Sequence, residues 1–162
     1  MTQATAPFER FRGRVRPEWV DYNQHFNMGY YLVAFDQASE EVTDAAGFTA
    51  ETRAREGVTV FVVETHVIYR REVKPDQAFR VTAQILGLDE KRLHLWQTMY
   101  AEGDDAPAAF NETMMLCVRQ DNPKATPWPA PVYAALKEMA EAHAKLPVPP
   151  EAGRRVSMTR GA

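Results

Sequence analysis

The sequence predicts an α+β domain in which one long helix lies against a five-stranded antiparallel sheet. Apolar residues recur at helical spacing between residues 28 and 46. One segment rich in apolar, β-branched or aromatic residues precedes this stretch and four follow it. Short turn-like connections rich in Gly, Asp and Pro separate the later segments. They favour an antiparallel meander, because only antiparallel neighbours can be joined by tight turns.

The long helix is the clearest element. Asn27 is a good N-cap residue and Gly47 is the expected C′ residue. The apolar residues of the main face recur at steps of four, three, four and three: Tyr31, Phe35, Ala38, Val42 and Ala45. Further apolar residues widen the first half: Tyr30, Leu32, Val33 and Ala34. A helix that is apolar over most of its circumference is expected to be buried.

The remaining elements complete the pattern. Strands are expected at residues 8–15, 58–69, 79–88, 93–100 and 109–118, with turns at 87–90 and 102–107. A second, shorter helix is expected at residues 131–146. The order of one strand, a long helix, four strands and a short helix is the hotdog arrangement. Residues 1–146 would form the single domain, and 147–162 an extended or disordered tail.

Composition excludes several classes of protein. The chain has 162 residues, 45% of them hydrophobic and 25% charged, which is typical of one globular domain. A net charge of −3 argues against nucleic-acid binding. No run of about 18 apolar residues is present, and the N-terminus lacks the apolar region of a signal peptide. The single cysteine, Cys117, cannot form an internal disulfide and is expected to pack in a strand, which fits a reducing cytoplasm.

A polar motif directly precedes the long helix. It comprises Asp21, Asn23, His25 and Asn27 at a spacing of two. One interpretation is a loop rich in capping and turn residues. A calcium loop is rejected, because Phe26 and Leu32 stand where such a loop needs Gly and a bidentate Glu. A zinc site is rejected too, because the other histidines are scattered: His66, His94 and His143.

The catalytic interpretation rests on where the motif lies. The N-terminus of a buried helix presents free N–H groups and about half a positive charge, which can stabilise an oxyanion. Asp21 is a carboxylate beside that helix mouth and could serve as a base or a nucleophile. The amides of Met28 and Gly29 are the candidate oxyanion donors. Gly29 has no side chain to obstruct a carbonyl group.

The motif, entering Tyr30-Tyr31-x-x-x-Phe35, resembles the acyl-CoA thioesterases of the hotdog superfamily, the 4-hydroxybenzoyl-CoA thioesterase-like group. This resemblance covers residues 10–146. The strings at residues 63–67 and 91–96 are similar to betainyl-CoA thioesterases of carnitine breakdown, which occur alone or fused to L-carnitine dehydrogenase.

The resemblance implies hydrolysis of a CoA thioester without metal or redox cofactor, CoA being part of the substrate. Asp21 would be the catalytic carboxylate, Asn23 and His25 would shape the loop and contact the thioester, and Asn27 would cap the helix. Many relatives have Gly where this chain has Gln24. A Gln tolerates positive φ poorly, so a different turn is expected, with Gln24 able to reach into the site.

Glu64 and His66 share one face of the second predicted strand. That face could be a solvated or interfacial surface. Alternatively it lines the pocket, where Glu64 would orient water or bind a cationic acyl group with His66 beside it. Tyr30 could contribute a cation–π contact, as could Tyr69 or Trp96, although packing in the core is the favoured interpretation of these aromatic residues.

Two other functions of a hotdog protein compete with thioester hydrolysis. A non-catalytic hotdog protein that binds acyl groups, or a structural subunit, would keep the fold but lack an acid or base at the helix mouth, so Asp21 counts against it. A hydratase would need a hydration motif that is not found.

The exposed sheet edges predict a homodimer or a dimer of dimers with active sites at subunit interfaces.

Overall fold

A computed structural model describes residues 6–158. The strands are β1 (Phe8–Arg14), β2 (Val58–Tyr69), β3 (Ala78–Leu88), β4 (Arg92–Ala101) and β5 (Pro107–Arg119). The helices are α1 (Met28–Ala45), α2 (Ala50–Glu56) and α3 (Ala130–His143). The predicted α+β class and the five-stranded antiparallel sheet are confirmed. No helix within residues 6–158 is long and apolar enough to cross a membrane. The predicted frayed start at residues 1–7 lies largely outside the described residues.

The strand order is β1-β3-β4-β5-β2, and all neighbours are antiparallel. The meander prediction is correct for β3, β4 and β5 but wrong for β2, which pairs with β5 at the far edge. The connection at 70–77 crosses the end of the sheet, a width of about 14 Å for three strand spacings. Eight residues can span about 26 Å, so this crossing is short enough to be made without a helix.

The inner face of the sheet packs against α1. The inward residues of β3 alternate as predicted and are buried: Phe79, Val81, Ala83 and Ile85. Phe35 and Val42 on α1 are completely buried against the sheet. Gly47 follows the helix with φ +86°, the left-handed conformation expected of a C′ glycine.

Part of α1 is not covered, contrary to the expectation of a helix buried all round. Leu32 and Val33 are each 39% exposed, and Met28 is 68% exposed. Ala45, which was expected on the buried face, is exposed, and Ala46 is buried instead. The N-terminal half of α1 therefore presents an open apolar surface in the single chain.

The sequence interpretation missed α2. Thr49 is its N-cap, with its hydroxyl accepting from the Thr52 N–H, and Gly57 ends it in the left-handed conformation. Seven residues make only two turns, too few for a helical period to stand out. The cap residues Thr49 and Gly57 were the available signal.

The C-terminal elements differ from expectation at their ends. α3 ends at His143, three residues before the predicted end, and the buried His143 Nδ1 accepts a hydrogen bond from the Ile85 N–H at 2.9 Å.

Beyond residue 146 the described chain has no helix or strand, but it is anchored on the outer face of the sheet. Glu151 pairs with Arg70 at 2.7 Å. The Gly153 N–H donates to Glu112 at 2.7 Å.

Candidate active site

The loop before α1 is tightly hydrogen-bonded. Val20 and Phe26 form an isolated β-bridge. Inside that bridge, the Asp21 N–H donates to the His25 carbonyl at 2.9 Å, and the Gln24 N–H donates to the Asp21 carbonyl at 3.0 Å. These bonds close residues 20–26 into a small hairpin, which fixes the backbone that carries the polar motif.

The Asp21 carboxylate is held by one oxygen. Its Oδ1 accepts from the N–H of Asn23 at 2.8 Å and from the N–H of His25 at 3.2 Å. Its Oδ2 has no hydrogen-bond partner within residues 6–158. A carboxylate fixed in this way is oriented by its own loop and keeps one oxygen available to accept a proton or to attack a carbonyl carbon.

Aromatic rings fasten the loop to the fold. The ring of Phe26 lies 4.0 Å from that of Tyr31 on α1 and 5.9 Å from that of Phe79 on β3. Trp19 stacks on Phe26 and on Tyr30, with centroid distances of 5.8 Å to both rings. Tyr30 thus lies at the helix mouth, partly exposed, between the loop and solvent.

The helix mouth presents several backbone N–H groups. The Asn27 Oδ1 caps the helix by accepting from the Gly29 N–H at 2.9 Å, as expected of an N-cap. The Tyr30 N–H donates to the Asn27 carbonyl at 3.0 Å. Within the described part of the chain, the Met28 N–H has no partner. Of the two predicted oxyanion donors, the structure therefore leaves Met28 free and engages Gly29.

The end of β2 and the crossing at 70–77 make contacts with the loop and the helix mouth that the sequence did not reveal. His25 Nε2 lies 3.3 Å from Glu72 Oε1, with both side chains about half exposed. The Tyr69 hydroxyl donates to the Met28 carbonyl at 3.0 Å. Burial raises the pKa of Tyr69 and of Tyr31, so both phenols stay protonated at neutral pH. No sequence signal links Glu72 to His25, because they are far apart along the chain.

A cleft of about 270 Å³ extends from the helix mouth along α1. It begins at Gly29, and β2 and β5 form its opposite side. Its apolar lining comes from Leu32, Val33 and Val62. Among residues 6–158, Asp36 is the one charged side chain that lines it. This carboxylate was not singled out from the sequence, where it looked like part of the polar stripe of a helix.

A buried polar network lies beside this cleft. The Gln97 side chain on β4 donates to the Phe35 carbonyl at 2.8 Å and to the Ser39 hydroxyl at 3.2 Å. Asn111 on β5 donates to Gln97 at 2.8 Å and accepts from the Thr65 hydroxyl at 2.6 Å. Every member has a partner, so the network links α1 to three strands without an unsatisfied group.

Glu64 and His66 lie elsewhere. Strand register places them opposite Met114 and Glu112 on the outer face of the sheet, away from α1. There they line a separate cavity of about 510 Å³, together with His94 and residues of the C-terminal tail. Within one chain, β2 lines the inner cleft through Thr65 and Val62 instead. The structure does not bring Glu64 and His66 together with Asp21, and their role in substrate binding stays a prediction.

A family model described as the thioesterase-like superfamily matches residues 15–136. The chain belongs to this superfamily. The match includes the loop of Asp21, the whole of α1 and the complete sheet apart from β1. The thioester-hydrolase class predicted from the sequence is therefore confirmed.

Named relatives agree with this assignment. A betainyl-CoA thioesterase from Pseudomonas aeruginosa is 37% identical over 144 residues, which cover 89% of this chain and 91% of that protein. A fused L-carnitine dehydrogenase/betainyl-CoA thioesterase from Rhizobium meliloti is 36% identical over 97% of this chain. The matched region makes up only 32% of that longer protein.

Solved structures resemble the thioesterase over nearly its full length. The hypothetical protein SAV2348 of Staphylococcus aureus, solved in complex with CoA, superposes with a TM-score of 0.87 at 23% identity and covers 98% of this chain and 100% of its own. A candidate thioesterase from Pseudomonas putida KT2440 has a TM-score of 0.83 at 29% identity, covering 96% and 99%. The predicted fold class is thereby confirmed.

Gln24 has a left-handed backbone conformation, with φ +61°, which is strained for a residue other than glycine. The sequence had suggested that a Gln would avoid this conformation, and the structure contradicts that expectation. The Gln24 side chain is exposed and makes no hydrogen bond within residues 6–158.

Gln24→Gly is expected to stabilise the thioesterase by about 1 kcal/mol, because the left-handed conformation costs a non-glycine residue roughly that much. The free energy of unfolding in urea measures this gain. Gln24→Ala is the matched control: it removes the same side chain but keeps Cβ, so it should give no gain. Equal stabilities of the Gly and Ala variants would contradict strain at this position.

Cys117 packs in the core of the thioesterase, as expected. It is completely buried, and its Sγ lies 3.8 Å from the Pro127 carbonyl. Burial raises the pKa of this thiol to about 11. The thiol therefore stays protonated at neutral pH, which makes Cys117 unsuited to act as the nucleophile.

Proposed function

We propose that this thioesterase hydrolyses CoA thioesters of a short cationic acyl group, with betainyl-CoA as the leading candidate, to free acid and CoA. The observation that carries the proposal is the Asp21 carboxylate, held by Oδ1 in the loop that leads into α1, while Oδ2 has no partner among the described residues. The names of the relatives support the acyl group and suggest a role in carnitine breakdown.

In the proposed reaction the thioester carbonyl lies at the mouth of α1. Asp21 Oδ2 accepts a proton from water, and the resulting hydroxide adds to the carbonyl carbon; direct attack by the carboxylate is the alternative. The negative charge that develops on the carbonyl oxygen is stabilised by the Met28 N–H and the helix dipole. The C–S bond then breaks, and CoA leaves as a thiolate that takes up a proton.

The polar residues around Asp21 have supporting roles in this proposal. Asn23 and His25 orient the carboxylate through their backbone N–H groups. The exposed side chain of Asn23 is available to the thioester or to CoA, and the exposed side chain of His25 lies beside Glu72. Asn27 holds the Gly29 amide and so sets the start of the helix. No step requires a metal or a redox group.

Thiol release from betainyl-CoA, followed with a thiol reagent, tests the proposal. Purified protein should release CoA over many turnovers, with free betaine as the second product. The rival function is an acyl-binding protein without catalytic activity. Saturable binding of the thioester without any release of CoA would support that rival and contradict the proposal.

We also propose that the active unit is a homodimer, formed through the edge strand β2 or assembled further into a dimer of dimers. The side chains of Phe61, Val62 and Val63 are between 46% and 55% exposed on this edge. The open apolar face of α1 at Leu32 and Val33 lines the same cleft as Val62 of this edge strand. An unpaired edge next to an apolar surface is a typical site of self-association.

Val63→Lys is expected to give a monomer and to lower kcat/KM at least tenfold, because a charge on the edge opposes pairing and leaves the cleft without its second wall. Light scattering at 18.4 kDa would report the monomer. Val148→Lys makes the same change at an exposed valine of the tail and should leave both properties unchanged. A wild-type protein that is a fully active monomer would contradict the proposal.

A further inference from the structure

We propose that Asp36 is the residue that recognises the positive charge of the acyl group, which makes it the specificity determinant of the thioesterase. This inference rests on the proposed function and deepens it. The cleft that starts at the helix mouth passes the carboxylate of Asp36, and its other lining residues within 6–158 are apolar or neutral polar.

The position of Asp36 suits a short acyl group. From Gly29 to Asp36 the helix rises about 10 Å. Side chains on a helix lean towards its N-terminus, which brings the carboxylate nearer to the mouth. A trimethylammonioacetyl group extends about 4 Å from its carbonyl carbon to its outer methyl groups, and a contact distance adds about 4 Å. The length of the acyl group and the contact distance together match the distance from the helix mouth to the Asp36 carboxylate.

The chemistry of the cleft suits a quaternary ammonium ion. Such an ion has no N–H to donate, so it needs a nearby negative charge and apolar contacts for its methyl groups. Leu32, Val33 and Val62 supply the apolar surface. Asp36 makes no hydrogen bond or ion pair with any residue from 6 to 158, and no Lys or Arg lines the cleft. A carboxylate without a cationic partner attracts the cationic substrate and disfavours an alkyl chain.

Glu64 is the competing carboxylate. The sequence suggested it for the same task, but it lies on the outer face of the sheet, and its neighbour Thr65 is the residue of β2 that lines the cleft. Asp36 and Glu64 are therefore separated by the sheet within one chain. Substitution of each can decide between them.

The experiment compares two substrates of the same shape. Betainyl-CoA and 3,3-dimethylbutanoyl-CoA differ by a quaternary nitrogen in place of a quaternary carbon, so the ratio of their kcat/KM values isolates the charge. The proteins are the wild type, Asp36→Asn, Glu64→Gln and Glu40→Gln. Glu40 lies one turn after Asp36 on α1 and is exposed but does not line the cleft, so it is the matched control for loss of one negative charge.

Asp36→Asn should lower the ratio about 30-fold by reducing only the value for betainyl-CoA, while Glu40→Gln should leave the ratio within about twofold. An equal loss on both substrates, an unchanged ratio, or a loss in Glu64→Gln instead of Asp36→Asn would overturn the assignment. A wild-type ratio near one would instead contradict the cationic acyl group of the proposed function. Absence of turnover on either substrate in the wild type would contradict hydrolysis of these short acyl groups itself.

Discussion

Asp21→Asn is expected to lower kcat on the preferred acyl-CoA by about 10³-fold, with little effect on KM or stability. The amide can still accept the N–H groups of Asn23 and His25 through its oxygen, so the loop keeps its shape. It cannot take the proton of water or attack as a carboxylate, and general-base catalysis typically contributes 10²–10⁴-fold. Steady-state kinetics of thiol release measure this loss.

Asp76→Asn provides the matched control for that substitution. Asp76 is an exposed aspartate in the crossing at 70–77, and its left-handed backbone conformation is one that Asn adopts as readily as Asp. The Asp76→Asn enzyme carries the same exchange of carboxylate for amide, and its kcat should be close to that of the wild type. A purified Asp21→Asn enzyme with kcat within a few-fold of the wild type would remove Asp21 from the reaction.

Gln97→Leu is expected to lower the free energy of unfolding by about 3 kcal/mol. The two side chains have similar volumes, so the loss reports hydrogen bonding more than packing. The substitution removes the acceptor of the buried Asn111 amide and one of the two side-chain donors to the Phe35 carbonyl, which keeps the Ser39 hydroxyl. An unsatisfied buried group costs about 1–3 kcal/mol, and each lost hydrogen bond adds about 1 kcal/mol. Urea unfolding followed by circular dichroism measures the change.

Gln84→Leu is the control for the network. Gln84 is buried on the outer face of the sheet, where its amide makes one bond, to the Pro147 carbonyl at 3.3 Å. Its replacement should cost less than about 1 kcal/mol. Equal losses in the two variants, or a loss below about 1 kcal/mol for Gln97→Leu, would show that the network does not stabilise the inner core.

The fold was predictable wherever a pattern is long and local. α1 was predicted from its apolar period and its caps at Asn27 and Gly47, and all five strands from alternation or β-branched composition between turns. The edge position of β2 was not predictable, because strand order depends on long-range pairing that a single sequence does not encode locally. α2 was missed because seven residues carry caps but no period.

The candidate site was predictable only where it is contiguous. The motif from Asp21 to Asn27 stands together in the chain, and the helix-mouth interpretation follows from it. Glu72 and Asp36 join the site through tertiary structure, and neither has a local signature. The sequence also could not show on which face of the sheet Glu64 lies. β2 has a register shift between Val62 and Glu64, and such a bulge changes which residues point inward.

The most direct test of the account is the kcat/KM of the wild-type enzyme for betainyl-CoA against that for dodecanoyl-CoA. We expect a preference of at least about 100-fold for betainyl-CoA. The cleft is small, about 270 Å³, and it holds a carboxylate that an alkyl chain would have to desolvate. A higher kcat/KM for the dodecanoyl thioester would contradict the account.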